Sequence, residues 1–190
     1  MDNKEKIIEI TTNLIKERGE QLNEITVREI SHRANVGLGL INYHFGNKDK
    51  LIEICVERMV NEIVEKFRYI QKEAMGLSPY EGLEYLGNMT LTFLFEHRAI
   101  SKVSALTDMT TPKENDNTHR TYEAFLPLVS ACRPDWDEQK VRYKTFLLVA
   151  VMQQAFLRYQ EIFREQGIDL TDAGSRKMFH SRCLRDILEG

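Results

Sequence analysis

Residues 26–51 read TVREISHRANVGLGLINYHFGNKDKL, and the breaks within this stretch decide the fold. Thr26 stands before Val27-Arg28-Glu29, a hydroxyl N-cap with a glutamate three residues on, which is the pattern of a capping box at a helix start. Ile30 and Ala34 complete the apolar side of a short helix ending near Asn35. Gly37-Leu38-Gly39 interrupts the pattern before a second short helix through Phe45. Gly46-Asn47 interrupts it again, with Asn47 as the expected cap of a long helix reaching about Ala74. Two short helices joined at Asn35-Val36-Gly37 and preceded by a longer one form a tri-helical helix-turn-helix unit. Helices this short do not hold themselves together and need a small core. Ile7, Leu14, Val27, Ile30, Ala34, Val36, Ile41 and Phe45 are placed to supply it.

The rest of the chain repeats the helical period. Apolar residues recur every three or four positions and no run alternates at period two, so the fold class is all-α. A first helix is expected over Asp2–Arg18, stopped by Gly19, with a loop to Ile25. Ser78-Pro79-Tyr80-Glu81 opens a helix reaching about His97, with Ser as cap, Pro in the first turn and Glu at the third position. Another covers about Arg98 to Met109, and the polar, Pro112-bearing segment 110–118 reads as a surface loop. A helix resumes to about Cys132 with a kink or end at Pro127. Pro134-Asp135 begins a long helix through Gln166, Gly167 stops it, and Thr171-Asp172 opens the last helix to Leu188. The expectation is nine helices: a helix-turn-helix domain over residues 1–47 and a helical domain over residues 48–190.

Composition narrows the function classes. The chain has 190 residues, 42% apolar and 29% charged, with a net charge of −3, which is ordinary for a soluble globular protein. The longest strictly apolar run, Phe146 to Met152, is far short of the roughly 20 residues a membrane helix needs. Its three cysteines are widely spaced, which reads as reduced thiols in a cytoplasm. Residues 1–50 hold eight Lys or Arg and eight Asp or Glu, so any affinity for nucleic acid must come from local placement and from doubling in a dimer.

Placement is what the second short helix offers. Ile41 and Phe45, four apart, face inward. Gly39 and Tyr43 lie opposite them, with Leu40, Asn42 and His44 on the flanks, and Leu38 opens the helix. Such a face suits a major groove: Asn bonds the N6 and N7 edge of adenine, and Tyr and Leu press on thymine methyls. Gly39 admits backbone close to phosphate, and Lys48 in the first turn of the next helix sets a cation beside free N–H donors.

The segments Thr26-Val27-Arg28-Glu29-Ile30, Ala34-Asn35-Val36, Gly39 through Phe45, and Lys48-Asp49-Lys50-Leu51 together resemble the DNA-binding domain of TetR-family transcriptional repressors, over about residues 4 to 55. Gly37 stands where that family often has a capping serine. The resemblance implies DNA contacts from Thr26, Arg28, Leu38, Gly39, Leu40, Asn42, Tyr43, His44 and Lys48. It also implies a cytoplasmic homodimer on a palindromic operator in double-stranded DNA, released by a small-molecule effector, with no catalysis, cofactor, metal or membrane.

For the effector, Tyr85, Met89 and Phe93 fall at i, i+4 and i+8, His97 lies one turn further, and Tyr143 and Phe146 lie on the long helix. These residues fit an apolar or aromatic ligand, or else plain core. For the dimer, Phe179, Cys183, Leu184 and Ile187 form a stripe on the last helix. Two alternatives stay open: a helical sensing module without DNA function, and a metalloenzyme using His180 and Cys183. No C-x-x-C, H-E-x-x-H, P-loop or nucleophile-elbow motif supports the latter.

Overall fold

The structure is a computed structural model that describes residues 2–19 and 21–189, and the backbone alone of residues 62–68. Glu20, within the expected loop after Gly19, lies outside the described residues. Among the described residues the fold is all-helical. The elements are α1 (Asn3–Arg18), a short 3-10 turn (Leu22–Glu24), α2 (Val27–Ala34), α3 (Leu38–Phe45), α4 (Lys48–Met75), α5 (Pro79–Glu96), α6 (Arg98–Thr110), α7 (Asn117–Cys132), α8 (Glu138–Leu157), α9 (Tyr159–Gln166) and α10 (Ala173–Glu189). They form two compact units, Met1–Glu65 with Arg98–Thr107, and Lys66–His97 with Asp108–Gly190.

In the first unit Ile7, Leu14, Ile25, Ile30, Ala34, Ile41 and Phe45 close on Leu51 and Cys55 of α4. Val27 and Val36 pack half-buried at the edge of this core. The turn between α2 and α3 is made by Asn35, the one non-glycine residue at positive φ (50°) among those described. Asn tolerates that left-handed conformation better than most residues. Gly37 has an ordinary extended backbone, φ −67°, so the turn does not require a glycine there. Gly46, at φ 81°, is the glycine that this connection does need. The Asn47 side chain then accepts from the Lys50 N–H at 2.8 Å, capping α4 as expected.

The capping box expected at Thr26 is only half formed. Thr26 Oγ1 accepts from the Glu29 N–H at 3.1 Å. The Glu29 carboxylate instead accepts from Arg18 of α1 at 2.8 Å and from Arg33 at 3.2 Å. Two guanidinium partners outcompete one backbone N–H. At Ser78, expected only as a cap, a capping box does form, with Glu81 accepting from the Ser78 N–H at 3.3 Å.

The second unit packs α5, α7, α8 and α10 around Leu83, Leu86, Leu91, Phe125, Leu148, Met152 and Leu184. Pro127 sits inside α7 without ending it. The long helix expected over 134–166 begins only at Glu138, capped by Asp137, whose side chain accepts from the Lys140 N–H at 2.7 Å. It breaks at Arg158 (φ −117°, ψ 24°) into α8 and α9. No glycine or proline marks this break. It accompanies an aromatic cluster, Phe95 with Phe156 and Tyr159, each pair 5.5 Å between centroids and edge-on. With the 3-10 turn, the break raises the expected nine helices to eleven elements.

Candidate nucleic-acid interface

α3 is seated by its inner residues and therefore presents a defined outer face. Ile41 is fully buried and Phe45 nearly so. Leu38 is 52% exposed and Tyr43 81% exposed, and Gly39 and Asn42 are exposed beside them. A large apolar side chain and a phenol held out in water, on a helix of eight residues, form a surface suited to base edges and thymine methyls. Leu38 is thus turned outward. Leu40 is half-buried and packs against the core of the first unit, and His44 is half-buried with its ring 5.0 Å from that of Tyr43.

Backbone donors lie at the same end. The N-cap of α3, Gly37, has no side chain to satisfy the first-turn N–H groups, and a Cβ placed on Gly37 or Gly39 would meet nothing within 4 Å. Neither glycine is required by packing. We therefore expect Gly39→Ala to raise stability by up to about 1 kcal/mol, the difference in helix propensity, while weakening operator binding. Urea denaturation and anisotropy titration of one preparation check both signs.

Charge is placed sparingly. Arg18 and Arg33 are held by Glu29 and Glu17, Arg58 by Glu5 at 2.7 Å, and Lys50 by Glu53 at 2.7 Å. Hydrogen bonding from Arg18 keeps the Glu29 carboxyl below its ordinary pKa, and Arg58 does the same for Glu5. These pairs tie α1 to α2 and to α4, and they consume four of the cations of this unit. Arg28 remains exposed on the first turn of α2, next to exposed Thr26. Lys48 is half-buried, with its ammonium 3.9 Å from Asp49. The self-neutralising network was not expected from the sequence, although its members sit among the eight acidic and eight basic residues counted there.

This arrangement has known relatives. Residues 7–55 match the model of a family described as bacterial regulatory proteins, tetR family. The N-terminal domain is a TetR-family domain. Among solved structures, the fold is similar to a TetR-like transcriptional regulator from Rhodococcus sp. RHA1, with a TM-score of 0.62, 17% identity, and 99% of this chain and 96% of that chain covered. It is also similar to Thermus thermophilus FadR, a TetR family transcriptional repressor in complex with lauroyl-CoA, with a TM-score of 0.62, 19% identity, and 98% and 94% covered. Comparison with curated protein sequences finds no match. The family and these neighbours are regulators rather than enzymes.

Beyond the TetR-type domain, the residues expected to gather at a ligand site do not all face one way. Tyr85, Met89 and Phe93 are half-buried along α5 and His97 is exposed at its end. Tyr85 donates its hydroxyl to Glu73 at 2.5 Å, and the Phe93 and His97 rings lie 4.9 Å apart. The other side of α5 carries the core residues. Tyr143 and Phe146, expected beside that stripe, are 58% and 60% exposed on the outside of α8. On α10, Leu184 is fully buried in its own core, so it offers nothing to a partner subunit. Phe179, Cys183 and Ile187 are half-buried, and Met178 is 69% exposed.

No group of three His, Cys, Asp or Glu among the described residues is placed to hold a metal ion. Among the described residues no helix is long and apolar enough to cross a membrane.

Proposed function

We propose that the protein is a homodimeric, ligand-responsive repressor that binds a palindromic operator through α3 and leaves it when a small apolar or aromatic effector binds. The carrying observation is the outward Leu38, Gly39, Asn42 and Tyr43 of α3, flanked by Thr26, Arg28 and Lys48, on a TetR-type domain. In this reading residues 1–47 bind DNA and residues 48–190 sense the effector and dimerise. Leu40 and His44 serve mainly to seat α3.

Two-fold symmetry places two recognition helices in successive major grooves, about 34–36 Å apart. The surface that supports a dimer is the exposed apolar face of α8, Tyr143 and Phe146, with Met178, Phe179 and Cys183 of α10. Three exposed side chains, Tyr143, Phe146 and Met178, with half-buried Phe179 and Cys183, call for a cover. Phe146→Glu leaves the subunit core intact and is expected to give monomers that lose operator affinity. Light scattering and anisotropy on one sample read both effects, and a Phe146→Glu protein that stays dimeric contradicts this face.

The effector site rests on Tyr85, Met89, Phe93 and His97, and on the family neighbour FadR, whose structure contains lauroyl-CoA. The 28-residue α4 runs unbroken for about 42 Å at 1.5 Å per residue, and begins at Lys48. A small tilt of such a rod misplaces the recognition helices, and the effector need only prefer that state.

A salt series tests the reading. Specific binding should exceed binding to scrambled DNA and fall linearly with log salt, and Lys48→Ala should flatten the slope by about one unit per half-site. Equal affinity for operator and scrambled DNA at every salt concentration favours a sensing module without DNA function.

A further inference from the structure

The second unit leaves polar atoms unsatisfied along the seam where α10 packs on α5. His180 is fully buried, and both its ring nitrogens lack a hydrogen-bond partner. Its ring lies so close over Gly87 that a Cβ there would come within 1.8 Å of Nε2. Burial holds its pKa down to about 4, so the imidazole is neutral, with one N–H to donate. One turn earlier on the same face, Arg176 is only 7% exposed.

Arg176 has no carboxylate within 4.0 Å among the described residues. Its Nη1 donates to the carbonyls of Leu170 at 3.1 Å and Thr171 at 2.7 Å, and its Nε is buried without a partner. The nearby Asp169 and Asp172 attract Arg176 through space, but their oxygens are hydrogen-bonded elsewhere. Asp169 accepts from Thr171, and Asp172 accepts from the Ser175 N–H at the start of α10. Native interiors leave few polar atoms unpaired, and each asks for an explanation. A buried guanidinium N–H without an acceptor asks for one more strongly.

The geometry points to a carboxylate-binding site on this seam, for a small monocarboxylic acid whose apolar body lies against Phe95. The acid's two oxygens accept from Arg176 Nε–H and from the His180 N–H, satisfying atoms that the chain itself leaves open. Phe95, with Arg176 Cζ 5.2 Å from its ring and with Phe156 and Tyr159 edge-on, supplies the apolar wall. A carboxylate suits the free Nε–H of Arg176 because a bond between two ionised groups adds a Coulomb attraction that a neutral acceptor lacks. This site differs from the Tyr85–Met89–Phe93 stripe, on another side of α5. It rests on the effector reading above only in its consequence. α10 bears His180 on one side and Phe179 and Cys183 of the proposed dimer face on another, so an acid in the seam acts on the helix that sets dimer geometry.

The test uses the full chain with octanoate and phenylacetate, against octanol and 2-phenylethanol, by calorimetry and thermal melting. We expect at least one acid to bind and to raise the melting temperature, and its alcohol to bind at least about tenfold more weakly. His180→Leu, which removes both orphan nitrogens and should stay folded, is expected to weaken the acid about tenfold, and Arg176→Lys likewise. No binding of either acid at millimolar concentration, alcohols that bind as well as acids, or an unchanged affinity in folded His180→Leu each overturns the site. Operator binding is measured in the same samples. An acid that binds through Arg176 and His180 without releasing DNA upholds the site and contradicts its role as effector.

Discussion

Lowering the pH from 7 to 4 is expected to cost the second unit about 3 kcal/mol through His180 alone. A buried imidazole prefers to stay neutral, and burial lowers its folded pKa from 6.5 to about 4. The unfolded chain therefore binds a proton between those values that the folded chain refuses. The stability contribution is complete above pH 6.5 and is lost as the pH falls toward 4. Each tenfold loss of proton affinity is worth about 1.4 kcal/mol, which sets the size of the effect. Urea denaturation between pH 7 and 4 checks this, with His180→Leu as the reference. The variant should lose less stability than the parent by about that amount. Parallel pH profiles for the two proteins would mean that His180 is hydrated, with both nitrogens satisfied.

Asn42→Ala and Tyr43→Ala are each expected to cost about 1–3 kcal/mol of operator binding, a loss of about five- to 150-fold, and to relax base preference at one position of each half-site. Both side chains stand exposed on α3, and neither contributes to the core that holds Ile41 and Phe45. Stability should therefore change little, within the ±0.5 kcal/mol usual for surface substitutions. Affinity and stability thus separate at these positions, as they do in the opposite direction at Gly39. Unchanged operator affinity in both folded variants would remove α3 from the interface.

The fold was legible wherever a local signal acts alone. Gly19, Gly46-Asn47, Ser78-Pro79 and Gly167 each end or begin a helix through their own backbone preference or side-chain cap, and the structure follows them. Signals that compete with tertiary partners were less legible. Glu29 has the spacing of a capping box, yet Arg18, eleven residues away, takes its carboxylate. The break at Arg158 carries no local mark at all, and accompanies the packing of Tyr159 on Phe95.

The outer face of α3 was readable because eight residues with two inward anchors leave little choice. The faces of α8 and α10 were harder. Both helices carry apolar residues on more than one side, and periodicity cannot say which side turns to its own core. Phe179 and Leu184, five residues apart, stand about 140° apart around the helix, and one is half-open while the other is sealed within the subunit. Nor does a sequence show that Arg176 Nε lacks an acceptor, because the carboxylates nearest to it along the chain are hydrogen-bonded at the start of α10 and in the segment before it.

Sequence-specific binding by a two-fold dimer through α3 is tested by selecting genomic fragments with the purified protein and footprinting those recovered. A few fragments that share an inverted repeat should be recovered. Protection should cover two half-sites centred about one helical turn apart on one face of the DNA, and should be lost with Asn42→Ala and Tyr43→Ala combined. Recovery of fragments without a common repeat, or protection that persists in the combined variant, would contradict it.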